Sequence, residues 1–466
     1  MADIALVVPP LDGVARADVV ASPPLNVPYL AAVSRSMGHE VKIIDCPAFN
    51  WDYERLKKEI SSFSPDLIGI SSLTQTYPAA LKSAAAAKDA CPIALVVLGG
   101  SHVTYMDTET LRLEQGVDVV VRGEGEMTLQ DLASNFNDKG KFKEISGITY
   151  RKNGEIHKNP DRPFIEDLDS LPFPAYDLID LSQYGTPKNK HFSMLTSRGC
   201  PFKCTFCVMR LMDGSQLRSR STKNVVDEME YIKNLGATSV SFCDETFTFN
   251  KKGVLDICTE IRKRRINLPW DCQTRVDQVS EDVLSEMKKA GCHYVGFGVE
   301  SGSQKMLDTM RKGIKIEQAE KAVQLAKRTG LLVGVNMMVG YPGETPDTIK
   351  ESLHFIKKAN PDTVFFMICT PYPGTEYYKL VTDLGWKLDT DWKSYDVVTP
   401  VFENPEMSGE TLVGIRREFY DQYYSTRYLF KCVLNHALKR NFYTSTLARS
   451  VVSYKIRSLK QKLGMR

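Results

Sequence analysis

Three cysteines, Cys200, Cys204 and Cys207, stand at CxxxCxxC spacing in the stretch Thr196-Ser197-Arg198-Gly199-Cys200-Pro201-Phe202-Lys203-Cys204-Thr205-Phe206-Cys207. Thiolates bind soft metals and iron–sulfur clusters, and a closed [4Fe–4S] site normally takes four of them. Three close only three irons and leave the fourth open to a chelating substrate, which suits a catalyst better than an electron carrier. The plainer reading is a zinc knuckle. Zinc sites, however, more often pair CxxC with a second distant CxxC or HxxxH, and neither stands in this sequence. The apolar run 192–195 just ahead of the loop reads as a strand, so the cysteines are expected at a strand's C-terminal end.

The elements that must position this loop alternate along the chain. Short β-branched runs at 4–8, 41–45, 67–72, 94–99 and 117–122 are separated by amphipathic segments at 28–37, 53–63, 79–90 and 108–114. Such alternation predicts a doubly wound parallel sheet, whose ligands sit beyond the carboxyl ends of the strands. Those ends carry Leu73-Thr74-Gln75, Gly99-Gly100-Ser101-His102 and Gly123-Glu124-Gly125-Glu126. Glycine there lets backbone approach a large flat ligand, although each segment alone also reads as a tight turn. A hairpin signature follows at 150–156, with Asn153-Gly154 at its turn, and then a proline-rich run to Ala175. That connector reads either as a strap along a domain junction or as a plain boundary. From Phe192, strands are expected near 192–197, 238–243, 268–273, 293–299, 331–338 and 362–369, with helices between them. Six such units predict a partial (β/α)6 barrel, with its chemistry at the C-terminal strand ends. The expected domains are 1–140, 141–185, 186–405 and a helical, basic 406–466.

The cysteine spacing, with Phe206 just before Cys207, resembles the signature of the radical SAM superfamily. The Pro23-Pro24-Leu25 start with Tyr29-Leu30-Ala31, and the two glycine loops, resemble the cobalamin-binding domain fused to class B members. That group includes C-methyltransferases and the anaerobic magnesium-protoporphyrin monomethyl ester cyclase, and the likeness runs over nearly all of 1–410. The fold it implies is a Rossmann-like, cobalamin-binding-type domain followed by a partial radical SAM barrel. The resemblance implies that Cys200, Cys204 and Cys207 hold a [4Fe–4S] cluster whose open iron binds S-adenosylmethionine. One electron then splits the sulfonium to methionine and a 5′-deoxyadenosyl radical. It further places Asp244-Glu245 where relatives carry a GGE-type segment. Arg275 would meet the methionine carboxylate, Glu300 and Ser301 the ribose, and Met338 and Gly340 the adenine. Cobalamin would meet Leu73, Thr74, Gln75, Gly99, Gly100, Ser101, His102, Gly123, Glu124, Gly125 and Glu126. The DxHxxG pattern that gives cobalt a histidine elsewhere is absent, and His102 lacks that context. Each residue also has a structural reading: Asp244 and Glu245 as helix N-terminal charges, Arg275 as a surface ion pair, Gly343 as a turn.

The remaining bounds are broad. The chain has 466 residues and a net charge of +3, so no polyelectrolyte role is implied. Its eleven cysteines form no disulfide-like framework, which predicts a reducing cytoplasm. Cys243 and Cys369, at strand ends, could donate a hydrogen atom to a radical; the others read as core. No apolar run reaches the roughly 18 residues of a membrane span. The stretch 423–466 has no Asp or Glu and interleaves Lys and Arg with apolar residues. It reads as an ordinary helical cap, as a contact with an acidic hydrophobic substrate, or as a peripheral contact at the inner membrane face; no nucleic acid is expected. The leading expectation is an anaerobic radical enzyme that methylates an unactivated carbon of a hydrophobic or acidic substrate, lipid and tetrapyrrole included. Its electron donor would be a low-potential flavodoxin or ferredoxin. Oxidative cyclisation of a tetrapyrrole, and a non-catalytic cobalamin or cluster sensor or electron carrier, are the alternatives.

Overall fold

In the computed structural model, residues 1–12, 22–186, 189–424 and 428 are described. The chain divides into two compact units, Met1–Glu245 with Thr370–Asp396, and Thr246–Cys369 with the residues from Val397 on. Most of the basic stretch 423–466, Cys432 included, lies outside the described residues. Among the described residues no helix is long and apolar enough to cross a membrane.

The first unit holds a seven-stranded sheet in the order β2-β1-β3-β4-β5-β6-β7. Its strands are β1 (Asp3–Val8), β2 (Glu40–Asp45), β3 (Leu67–Ser71), β4 (Leu95–Gly99), β5 (Val119–Val121), β6 (Ile148–Lys152) and β7 (Glu155–Lys158). The first five are parallel, as the alternation of strands with helices requires. Buried side chains on both faces, such as Leu6, Val97 and Val121 on one and Val7, Ile70 and Leu98 on the other, explain the near-continuous apolar runs. The hairpin turns at Asn153 and Gly154, both at positive φ. Its strands do not stand apart as a connector: β6 pairs antiparallel with β5 and extends the sheet.

Beyond the hairpin, β8 (His191–Met194) and β11 (Ser239–Phe242) pair in parallel in the same unit. The cysteine loop leaves a two-residue strand, β9 (Ser197–Arg198), that pairs antiparallel with β10 (Arg218–Ser219). The second unit is built on an open parallel sheet of β12 (Trp270–Thr274), β13 (Cys292–Glu300), β14 (Leu332–Val339) and β15 (Thr363–Ile368). All six strands expected after Phe192 are present. The helix Gly409–Tyr423 covers β15: Tyr424 and Tyr420 hydroxyls accept from Val364 and Phe366 N–H at 2.9 and 3.0 Å, and Arg416 donates to Phe366 O at 2.8 Å. A strand with unpaired amides is thereby closed to other chains.

Candidate active site

Gly199, at φ +98, starts the cysteine loop, and a Cβ there would lie 2.1 Å from the Gln216 carbonyl oxygen. Cys200 N–H donates to Gly214 O at 3.0 Å and Cys207 N–H to Cys204 O at 3.3 Å, while Tyr377 N–H holds Thr205 O at 2.9 Å. The loop is therefore pinned at its entry, middle and exit. All three thiols are half-buried, whereas Cys46, Cys258, Cys272, Cys292 and Cys369 are buried. Burial pushes the Cys258 thiol up to about 12 and raises that of Cys46 too, so these remain protonated and inert. Among the described residues, no three His, Cys, Asp or Glu side chains are gathered to hold a single metal ion. A cuboidal cluster instead takes one sulfur at each of three different irons, and three thiols spread along a pinned, half-open loop fit that demand.

Flanking this loop is a cleft of about 410 Å³ that lies wholly within the first unit. Its floor is the strand ends of the first sheet: Gly69, Gly99, Gly100, Ser101, and the loop from Gly123 to Glu126. Its opposite wall is Leu195, Arg198, Val208, Met209, Met212 and Asp213, the residues on either side of the cysteines. Gly100 sits at φ +127, and a Cβ there would come within 2.3 Å of Ser72 O, so only glycine fits this floor. An apolar cleft with a backbone floor suits the flat face of a corrin.

Several expected contacts take other roles. Of Leu73-Thr74-Gln75, only Leu73 lines the cleft. His102 does not; it is 1 % exposed, packed between Tyr77 at 4.1 Å and Trp392 at 4.6 Å, with neither ring nitrogen hydrogen-bonded. Desolvation lowers its pKa to about 4, so it is a neutral core residue. Glu124 and Glu126 line the cleft, but their carboxylates are held by arginines. Arg198 donates to Glu124 at 3.0 Å and Glu126 at 2.6 Å, and Arg218 to Glu124 at 2.9 Å. These glutamates clamp the cysteine loop's flanks to the first sheet. The Asp244 carboxylate is buried by four donations, from Thr196 N–H to both its oxygens and from the Thr196 and Ser197 hydroxyls, and so closes the end of β8 instead of facing a ligand. Glu245 is different: burial, then its hydrogen bond to Asp213, raises its pKa to about 9, leaving a proton on the pair at neutral pH.

In the second unit the expected adenosylmethionine contacts bind one another. Arg275 is 5 % exposed, not a surface ion pair; its guanidinium donates to Asp277 at 2.9 and 3.0 Å and to Lys312 O at 2.9 Å. Glu300 accepts from Lys312 Nζ at 2.8 Å. The Ser301 hydroxyl meets Ser352 Oγ at 3.3 Å and accepts from Ser303 N–H at 3.1 Å. Met338 is nearly buried, and Gly340, at φ +97, donates its N–H to Glu344 at 2.5 Å. Sequence reasoning missed Lys312, and took Glu344 only as part of the segment that ends the fifth expected strand, with no role for its carboxylate; a carboxylate four residues after a glycine turn was the available signal. Cys243 is exposed at the end of β11, whereas Cys369 is buried.

A half-open three-cysteine loop beside a glycine-floored cleft is the arrangement that a radical enzyme with a corrin-binding domain requires. Residues 194–356 match the radical SAM superfamily and residues 14–133 the B12 binding domain. An uncharacterized methyltransferase of Pyrococcus horikoshii is 35% identical over 436 residues, 93% of this chain and 95% of that protein. The anaerobic magnesium-protoporphyrin IX monomethyl ester cyclase of Rubrivivax gelatinosus is 31% identical over 451 residues, 90% of this chain and 80% of that one. In fold, the chain matches the radical S-adenosylmethionine methyltransferase TsrM of Kitasatospora setae, solved with cobalamin and a [4Fe–4S] cluster. The TM-score is 0.70 and the identity 20%, over 84% of this chain and 78% of that one. The chain belongs to the radical SAM family that carries a B12-binding domain, an enzyme family of methyltransferases and cyclases whose cofactors are a [4Fe–4S] cluster, S-adenosylmethionine and cobalamin.

Proposed function

We propose that this enzyme methylates an unactivated carbon of a small, hydrophobic or acidic molecule. The observation that carries the reading is the shared cleft: residues flanking the cysteine loop form one wall and the corrin-type glycine floor forms the other. Bound there, the cluster supplies the electron that splits adenosylmethionine, and cobalamin supplies a transferable methyl group. The chain's own part is to hold, orient and exclude water. Cys200, Cys204 and Cys207 would hold the cluster, with Phe206 standing between two of them in the loop. Gly99, Gly100, Ser101 and the backbone from Gly123 to Glu126 seat the corrin. Within the second unit, Glu300 and the Gly340 turn are the adenosylmethionine contacts, with Arg275 acting through its partners. Met209 and Met212 give the opposite wall an adaptable apolar surface. A low-potential flavodoxin or ferredoxin supplies electrons.

Oxidative cyclisation is the second reading, favoured by the likeness to the cyclase. The products of adenosylmethionine separate the two. Anaerobically reconstituted protein with cobalamin and dithionite should form both S-adenosylhomocysteine, from methyl donation, and 5′-deoxyadenosine, from radical cleavage. Formation of 5′-deoxyadenosine alone would favour the cyclase and end the methyl-transfer reading. Formation of neither would favour a sensor.

A further inference from the structure

We propose that Lys312 is the positioning residue for Glu300, holding that carboxylate at the strand end where it meets adenosylmethionine; the inference rests on Glu300 being such a contact. Three observations within the second unit converge on it. Glu300 adopts φ +76, a left-handed conformation that costs a non-glycine residue on the order of 1–3 kcal/mol. It does so where the register between β13 and β14 shifts, between Gly298 and Glu300, a bulge that re-aims the side chain. A strained, buried carboxylate at a parallel strand's C-terminal end is poorly explained by folding alone.

Lys312 answers it from a turn built for the purpose. Arg311 at φ +51 and Gly313 at φ +69 bracket Lys312, and its N–H donates to Leu307 O at 2.9 Å. Its Nζ lies 2.8 Å from Glu300 Oε1, and both residues are 6 % exposed. Its carbonyl accepts from Arg275 at 2.9 Å. One residue thus ties the end of β12 to the end of β13, the two strand ends that carry the expected cofactor contacts.

The pair also needs a bare backbone beneath it. A Cβ on Gly298 would stand 2.6 Å from Glu300 Oε1 and 3.0 Å from Lys312 Nζ. Two apolar side chains of similar volume would be as stable as a buried ion pair, or more so. Keeping the charges therefore points to a ligand that needs the carboxylate in one place.

The test is the KM for adenosylmethionine in anaerobic 5′-deoxyadenosine formation, with melting temperature and iron content measured alongside. Lys312→Met and Gly298→Ala should each raise KM about tenfold or more, with the rate at saturation largely kept, because a misplaced contact is felt at this scale. Lys312→Arg should restore most of the loss, since it keeps the charge. Glu300→Gln should raise KM similarly, and the double variant Lys312→Met with Glu300→Gln should be no worse than Glu300→Gln alone. The double variant also removes both buried charges, so the comparison survives if Lys312→Met alone does not fold. A raised KM in Glu300→Gln with none in Lys312→Met would overturn the positioning role. So would a further rise in the double variant, which would mean that Lys312 touches the cofactor itself. If Glu300→Gln leaves KM unchanged, it is the underlying assignment of Glu300 that fails.

Discussion

The cleft of the first unit and the strand ends of the second present opposite chemistry. The cleft is floored by glycine backbone and walled by leucine, valine and methionine, and its charges are neutralised by Glu124, Glu126, Arg198 and Arg218. The strand ends of β12 and β13 carry charged side chains, and these are cross-linked as Arg275–Asp277 and Lys312–Glu300. A large flat ligand is held by shape, so its site needs space and bare backbone. A small charged ligand is held by direction, so its site needs carboxylates and cations locked in place.

The largest expected effect falls on the clamp of the first unit. Glu124→Ala leaves Arg218, whose side chain is 5% exposed, without its carboxylate, a loss of the order of 3–5 kcal/mol in unfolding measurements. An effect below about 1 kcal/mol would show that the clamp is solvated and that the two regions differ less than described. Next comes Gly100→Ala. Its Cβ would meet Ser72 O, and φ +127 is strained for alanine, so about 1–3 kcal/mol should be lost together with retention of cobalamin on a desalting column. Cobalamin retained by this variant at wild-type stoichiometry would break the account of a backbone floor.

The two regions should also separate by pH. Glu245 in the first unit is raised from 4.5 to about 9 by burial and then by Asp213, and Glu344 in the second from 4.5 to about 7 by burial. In both, the folded state binds the proton more tightly. The stability each contributes is full below the unfolded value and is lost as pH rises through the folded one. Melting temperature should therefore fall from pH of about 5 upward. Glu344→Gln should flatten the lower part of that fall and Glu245→Gln the upper part. A single slope unchanged by either variant would contradict the separate assignments. The smallest effect is expected at His102→Leu. Two unsatisfied ring nitrogens disappear, so stability should hold or rise by about 1 kcal/mol, with cobalamin binding and its visible spectrum unchanged. A changed spectrum would return His102 to the cobalt.

These outcomes follow the division between what was legible in the sequence and what was not. The β-branched runs of β1, β3 and β4 and the Asn153-Gly154 turn carry their structure locally, so strands and hairpin could be placed from neighbours alone. The cysteine loop was legible for the same reason, because three ligands within eight residues need no distant partner. The fate of a polar side chain was not. Glu124 finds Arg198 and Arg218 across 74 and 94 residues of chain. His102 is buried by Trp392, which returns to the first unit from beyond β15. Lys312 reaches Glu300 only because a short helix, Gln304–Thr309, turns the chain back on β13. Side-chain type announced which residues could meet a ligand; tertiary pairing decided which of them are already held by other side chains.

The most direct test of the central claim is anaerobic reconstitution with iron, sulfide, adenosylmethionine and dithionite, followed by quantitation of 5′-deoxyadenosine. Wild-type protein should release it, and Cys200→Ala, Cys204→Ala and Cys207→Ala should each lose both the cluster and the product. Release undiminished in any of the three variants, or none from cluster-loaded wild-type protein, would contradict the account.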